Sequence, residues 1–76
     1  MEFLTPEELH QRAEDLYYAA LDHLADDNRS AAIDSLRESL EHDPHFTDAM
    51  HALARALQDD GQFDEAITVA TRISQL

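Results

Sequence analysis

Residues Asp59-Asp60-Gly61-Gln62-Phe63-Asp64-Glu65-Ala66-Ile67 decide how this chain is read. Met50, Leu53, Ala54 and Leu57 approach the stretch at helical spacing, and Ala66, Ile67, Ala70 and Ile73 leave it at the same spacing. Gly61 stands just past the first of these runs, where helices commonly end on a glycine. The stretch is therefore a tight turn between two helices, predicted over about 46–59 and 63–76. A connection this short makes the two helices antiparallel neighbours.

The same punctuation continues toward the N-terminus. Asp43-Pro44 stops an earlier helix, because the residue before a proline is pushed out of helical geometry. That helix runs from Arg29 or Ser30 to His42, with Ala32, Ile33, Leu36 and Leu40 on one face. The first helix opens on Thr5-Pro6-Glu7-Glu8, with a capping-box pair at Thr5 and Glu8 and a proline at the first helical position. Leu9, Ala13, Leu16, Ala20 and Leu24 then recur at helical spacing, widened by Tyr17 and Leu21, until Asp26-Asp27-Asn28 ends the run. Four helices with short links fit either a closed bundle or stacked helical hairpins.

Internal repetition favours the stack. Leu16, Ala19, Ala20 and His23, then Ala32 and Leu36, then Pro44, are answered 34 residues later by Met50, Leu53, Ala54 and Leu57, then Ala66 and Ala70. In residue class, spacing and punctuation this resembles the tetratricopeptide repeat family, whose unit is about 34 residues long. The resemblance covers Ala13 to Leu76 and includes Ala32-Ile33 through His42-Asp43-Pro44 as a second helix with its terminal Asp-Pro. It implies an all-α fold of antiparallel hairpins stacked as a short right-handed solenoid. One domain spans 1–76, with an extended first repeat over 5–44 and a second over 45–76. The sequence departs from the pattern at His23 (usually aromatic), Ser39 (usually small and apolar) and Asp27 (a turn glycine in the second copy).

The charge bounds the partners. Seventeen acidic residues against five basic ones give −12, and every basic residue is an arginine. Such a surface repels phosphate backbones and anionic lipid, so neither nucleic acid nor a membrane surface is an expected partner. A basic peptide or protein face would be attracted, in a salt-dependent way. The same acidity would equally serve solubility or salt adaptation. The start Met1-Glu2 lacks the basic-then-apolar order of a signal peptide, which makes the cytoplasm the expected location.

The resemblance implies a protein-interaction module rather than an enzyme, and it supplies the candidate surface. By position, a concave groove would present Glu14, Tyr17, Leu21 and Leu24 from the first repeat and His51, Arg55, Gln58 and Asp59 from the second. Family members that clamp a C-terminal carboxylate use lysines and asparagine along this groove. Here Tyr17, Leu21, Ala25, His51, Arg55 and Asp59 fill those places, which disfavours that role. A solenoid needs about three repeats and polar ends to be stable and soluble. The sequence stops at Leu76 where the family would continue, so either the chain is cut from a longer one, or an apolar end face with Val69, Ile73 and Leu76 is covered by a second copy or another protein, the expected case. A self-associating homo-oligomer, or a small secretion-type chaperone shielding an amphipathic helix, are the alternatives.

No catalytic, metal or cofactor chemistry is expected. His42, Asp43 and His45 straddle a helix stop, so nothing holds them on one face. The absence of cysteine removes thiolate sites. The acid pairs Asp26-Asp27 and Asp59-Asp60 fall at turns, where solvated carboxylates are ordinary. His10 with Glu14 reads as a surface pair one helical turn apart.

Overall fold

The computed structural model describes residues 3–76; Met1 and Glu2, the start of the leader reading above, lie outside the described residues. Four helices follow in order: α1 Pro6–Ala25, α2 Arg29–His42, α3 Thr47–Asp59 and α4 Phe63–Ser74. The fold is all-α, and α2 packs against both α1 and α3 while α4 packs against α3. That order is the one stacked hairpins require.

Local chemistry sets the boundaries. The Thr5 hydroxyl accepts from the Glu8 amide at 3.2 Å, and the Thr5 amide donates to Glu8 Oε1 at 3.3 Å, so the capping box is complete. Both hairpin turns are the same left-handed stop. Asn28 N–H donates to the His23 carbonyl at 2.8 Å and Asp27 N–H to that of Leu24 at 3.1 Å. In the second copy Gln62 N–H donates to Leu57 at 2.9 Å and Gly61 N–H to Gln58 at 3.1 Å. The turn residues have φ of 58° at Asp27 and 81° at Gly61. Asp27 thus performs the glycine's task with a side chain that tolerates this region.

The core is a continuous cluster built from small and large residues in alternation. Ala20, Ala32 and Ala49 are fully buried and let the helices approach closely, while Leu36, Met50, Leu53 and Leu57 fill the space between. Ser39 is also fully buried, and its hydroxyl donates to the Ala13 carbonyl of α1 at 2.7 Å. The polar residue that broke the family pattern is therefore a satisfied contact between α1 and α2.

One expectation is corrected. Val69 is only 5% exposed and Ile73 is half-buried against the core, so these two do not belong to an open end face; Leu76 does remain 60% exposed. The reason is the direction of α4. At about 100° per residue, Val69 lies on the opposite side of the helix from Ile67. The side carrying Val69 packs inward, and the stripe Phe63, Ile67 and Ala70 faces out, with Phe63 60% and Ile67 64% exposed. Helix α4 also ends at Ser74, two residues before the predicted stop.

Candidate functional site

Three surfaces gather the residues of interest. The first lies where α1 meets the α2–α3 connection. His10 Nδ1 is 2.5 Å from Asp43 Oδ2 and its Nε2 is 3.1 Å from Glu14 Oε1. Its ring also meets Phe46 edge-on at 5.1 Å, and Tyr17 tilts against the same Phe46 at 5.3 Å. The hydrogen bond with Asp43 raises the His10 pKa, with the Glu14 charge adding to it, and the same bond holds the Asp43 carboxyl below its ordinary range. His10 and Glu14 do pair as their spacing suggests. The longer link to Asp43 joins residues 33 apart and left no mark in the sequence.

Two groove candidates are therefore already engaged, Glu14 with His10 and Tyr17 with Phe46. Tyr18, which sequence reasoning did not single out, is 57% exposed and tilts against Tyr17 at 5.5 Å. Leu21 is also exposed.

The second surface lies at the hairpin turns. Leu24 and Asp59 line one depression together with Asp27 and Arg29, so two groove candidates from different repeats do come together. Arg55 Nε is 3.9 Å from Asp59 Oδ2, and both side chains are largely in solvent. His51 and Gln58 are exposed on the same helix. Asp60 accepts from Gln62 and from Arg29, which lowers its pKa. Nearby, Arg37 of α2 makes a two-pronged contact with Glu65 of α4, through Nη2 to Oε1 at 2.5 Å and Nε to Oε2 at 3.1 Å. This pair raises the Arg37 pKa and ties the second hairpin to the first.

The third surface is the outer side of the α3–α4 hairpin. Ala54, Gln58, Phe63, Ala66, Ile67 and Ala70 line a shallow, mostly apolar depression. Its nature follows from the repeat. The equivalent residues 34 positions earlier include Ala20, Ala32, Ile33 and Leu36, none more than 2% exposed. They belong to one buried cluster with Ala49, Met50 and Leu53 of α3, the helix against which α2 packs. Their counterparts Ala54, Ala66, Ile67 and Ala70 line the same surface, over which no helix lies among the described residues. Ile67 was thus missed as an exposed residue although the 34-residue shift pairs it with buried Ile33; Phe63 pairs with exposed Arg29, and the shift gives no signal for it.

Among the described residues no group of three or more histidine or acidic side chains is placed to hold a metal ion, and no helix is long and apolar enough to cross a membrane. The architecture and the repeated turns are matched by comparison with known families: the model for the tetratricopeptide repeat fits residues 23–75. This chain belongs to the tetratricopeptide repeat family. Repeats of this family are in general protein-interaction elements. No curated protein and no solved structure gives a significant match to the chain.

Proposed function

We propose that this tetratricopeptide repeat chain is a non-catalytic interaction module that holds a helical segment of another protein against the outer side of its α3–α4 hairpin. One observation carries the reading. Ile67, 64% exposed, stands with Ala54, Ala66 and Ala70 on an apolar surface whose first-repeat counterparts Ile33, Ala20, Ala32 and Leu36 are buried, and Phe63, 60% exposed where the first repeat has an exposed Arg29, extends it. Large apolar side chains left in water beside a ready-shaped groove mark an interaction site. The charge of −12 favours a basic partner and gives its association a salt dependence.

The concave groove is the second reading, supported by the depression that joins Leu24 to Asp59 and by the exposed Tyr18 and Leu21. Tyrosine is enriched among residues that anchor interfaces. The two are separated by titrating the protein with a helical peptide carrying the sequence of residues 46–60 while following backbone amide shifts. Shifts centred on Phe63, Ile67 and Ala70, abolished by Ile67→Glu, support the outer face. Shifts centred on Tyr18, Leu24 and Asp59 move the site to the groove. Binding untouched by Ile67→Glu rules out the outer face.

A further inference from the structure

The outer face can be asked which helix it fits, because its buried counterpart already holds one. Helix α3 enters the first repeat's surface, and Ala54 lines the open depression on its outer side. Ala49 and Ala56 lie about 140° and about 160° around the helix from Ala54, on the side turned toward the first repeat. Both are buried, at 0% and 2% exposure. Small residues two turns apart let α3 settle close, and Met50, Leu53 and Leu57 beside them supply the apolar bulk.

In a second copy of this chain, the helix that would occupy the outer face by the same geometry is α1. Its residues can be read off by subtracting 34. Ala49 becomes Asp15, Ala56 becomes Asp22, Leu53 becomes Ala19 and Leu57 becomes His23. Asp15 and Asp22 are exposed in this chain, so they are solvated there at no cost. Docked against Ala54, Ala66 and Ile67 they would be stripped of water in a mostly apolar depression whose lining residues include no cation. Burying an unpaired carboxylate in that way is strongly unfavourable. Two molecules each carrying −12 also repel on approach.

We infer that Asp15 and Asp22 make the outer side of α1 a stop against head-to-tail stacking, which reserves the α3–α4 face for a helix of a different protein. That helix carries small residues at two positions seven apart, in the places of Ala49 and Ala56, and large apolar residues in the places of Met50, Leu53 and Leu57. Basic residues flank this stripe. A stop is needed because a head-to-tail contact does not close on itself and would run on as a fibre. The inference rests on the outer face being the binding site, as proposed above.

The test uses the intact chain, with light scattering across protein concentration and titration with two peptides. The first peptide carries the sequence of residues 46–60 and the second the same sequence with Ala49→Asp and Ala56→Asp. The wild-type chain is expected to stay monomeric and to bind the first peptide at least tenfold more tightly than the second. The Asp15→Ala/Asp22→Ala variant, altered only at exposed positions, is expected to form concentration-dependent oligomers that adding Ile67→Glu returns to monomer. Helical circular dichroism of each variant checks that the fold is kept. A wild-type oligomer dissolved by Ile67→Glu would show that a second copy takes the face, and would overturn the inference while leaving the face intact as a site. Equal binding of the two peptides, or a double variant that stays monomeric, would overturn it as well. If the first peptide binds with no loss in the Ile67→Glu chain, the face itself fails, and the inference fails with it.

Discussion

Val69 and Ile67 sit two residues apart on α4, and truncating each to alanine should have very unequal consequences. Val69 is 5% exposed, so Val69→Ala removes two buried methyl groups. At about 0.8 kcal/mol per buried carbon, with an added term for the space left behind, the cost is about 2 kcal/mol. A chain of 76 residues holds about 4–11 kcal/mol in total, so this is a large share. In a domain of this size about 1 kcal/mol moves the thermal midpoint by about 4–8 °C, which places the expected drop at about 8–16 °C. Ile67 is 64% exposed, and Ile67→Ala should stay within about 0.5 kcal/mol of wild type. Thermal unfolding followed by helical circular dichroism measures both, at two protein concentrations to separate folding from association. An Ile67→Ala variant that melts as low as Val69→Ala or lower would mean that α4 is turned about its axis. The outer face would then be in the wrong place, and the binding site built on it would be lost.

Other consequences follow from the same contacts. Ser39→Ala deletes the buried bond to the Ala13 carbonyl and should cost about 1 kcal/mol in denaturant unfolding, since that carbonyl keeps its place within its own helix. Gly61→Ala should cost about 1 kcal/mol although a Cβ there would meet nothing within 4 Å, because the cost is the φ of 81° alone; Asp27→Gly, at the equivalent turn, should stabilise slightly. The raised pKa of His10 contributes stability that is full below its unfolded value near 6.5 and is lost as pH climbs through the folded value. The lowered pKa of Asp43 contributes stability present above its ordinary 3.8 and lost as pH falls through the folded value. The thermal midpoint should therefore fall between mildly acidic and mildly alkaline pH, and His10→Asn should flatten that fall; an unchanged slope in the variant would remove His10 from the account.

What could be read in advance was whatever the chain states locally. The helices were legible because caps, stops and apolar spacing are short-range signals: Thr5 with Glu8, Asp43 before Pro44, Gly61 after Asp59. The family pattern then supplied the order in which the helices stack. Departures from that pattern were visible, but their meaning was not. Ser39 looked like a flaw until the carbonyl of Ala13, 26 residues away, was found within 2.7 Å. His10 looked like half of a surface pair until Asp43 met its other nitrogen. Contacts of that span are set by how two helices cross, and spacing along one helix does not report them.

The exposed side of α4 was not legible for a different reason. In α4 the apolar residues Phe63, Ala66, Ile67, Val69, Ala70 and Ile73 spread over about 160° of the helix circumference. Such a stripe has two edges, and periodicity alone cannot say which edge meets the molecule's own core. In a repeat the answer is carried by the neighbouring unit. Ile33 is buried and Ile67 is not, although the two hold the same place in their repeats. The difference lies in α3, which packs over the cluster holding Ile33 and has no counterpart over Ile67 among the described residues. The first repeat therefore works as a worked solution for the second. It gives the shape of the missing helix, the two small residues that let it approach, and, through Asp15 and Asp22 standing where Ala49 and Ala56 stand in α3, the reason another copy of this chain is a poor candidate to supply it.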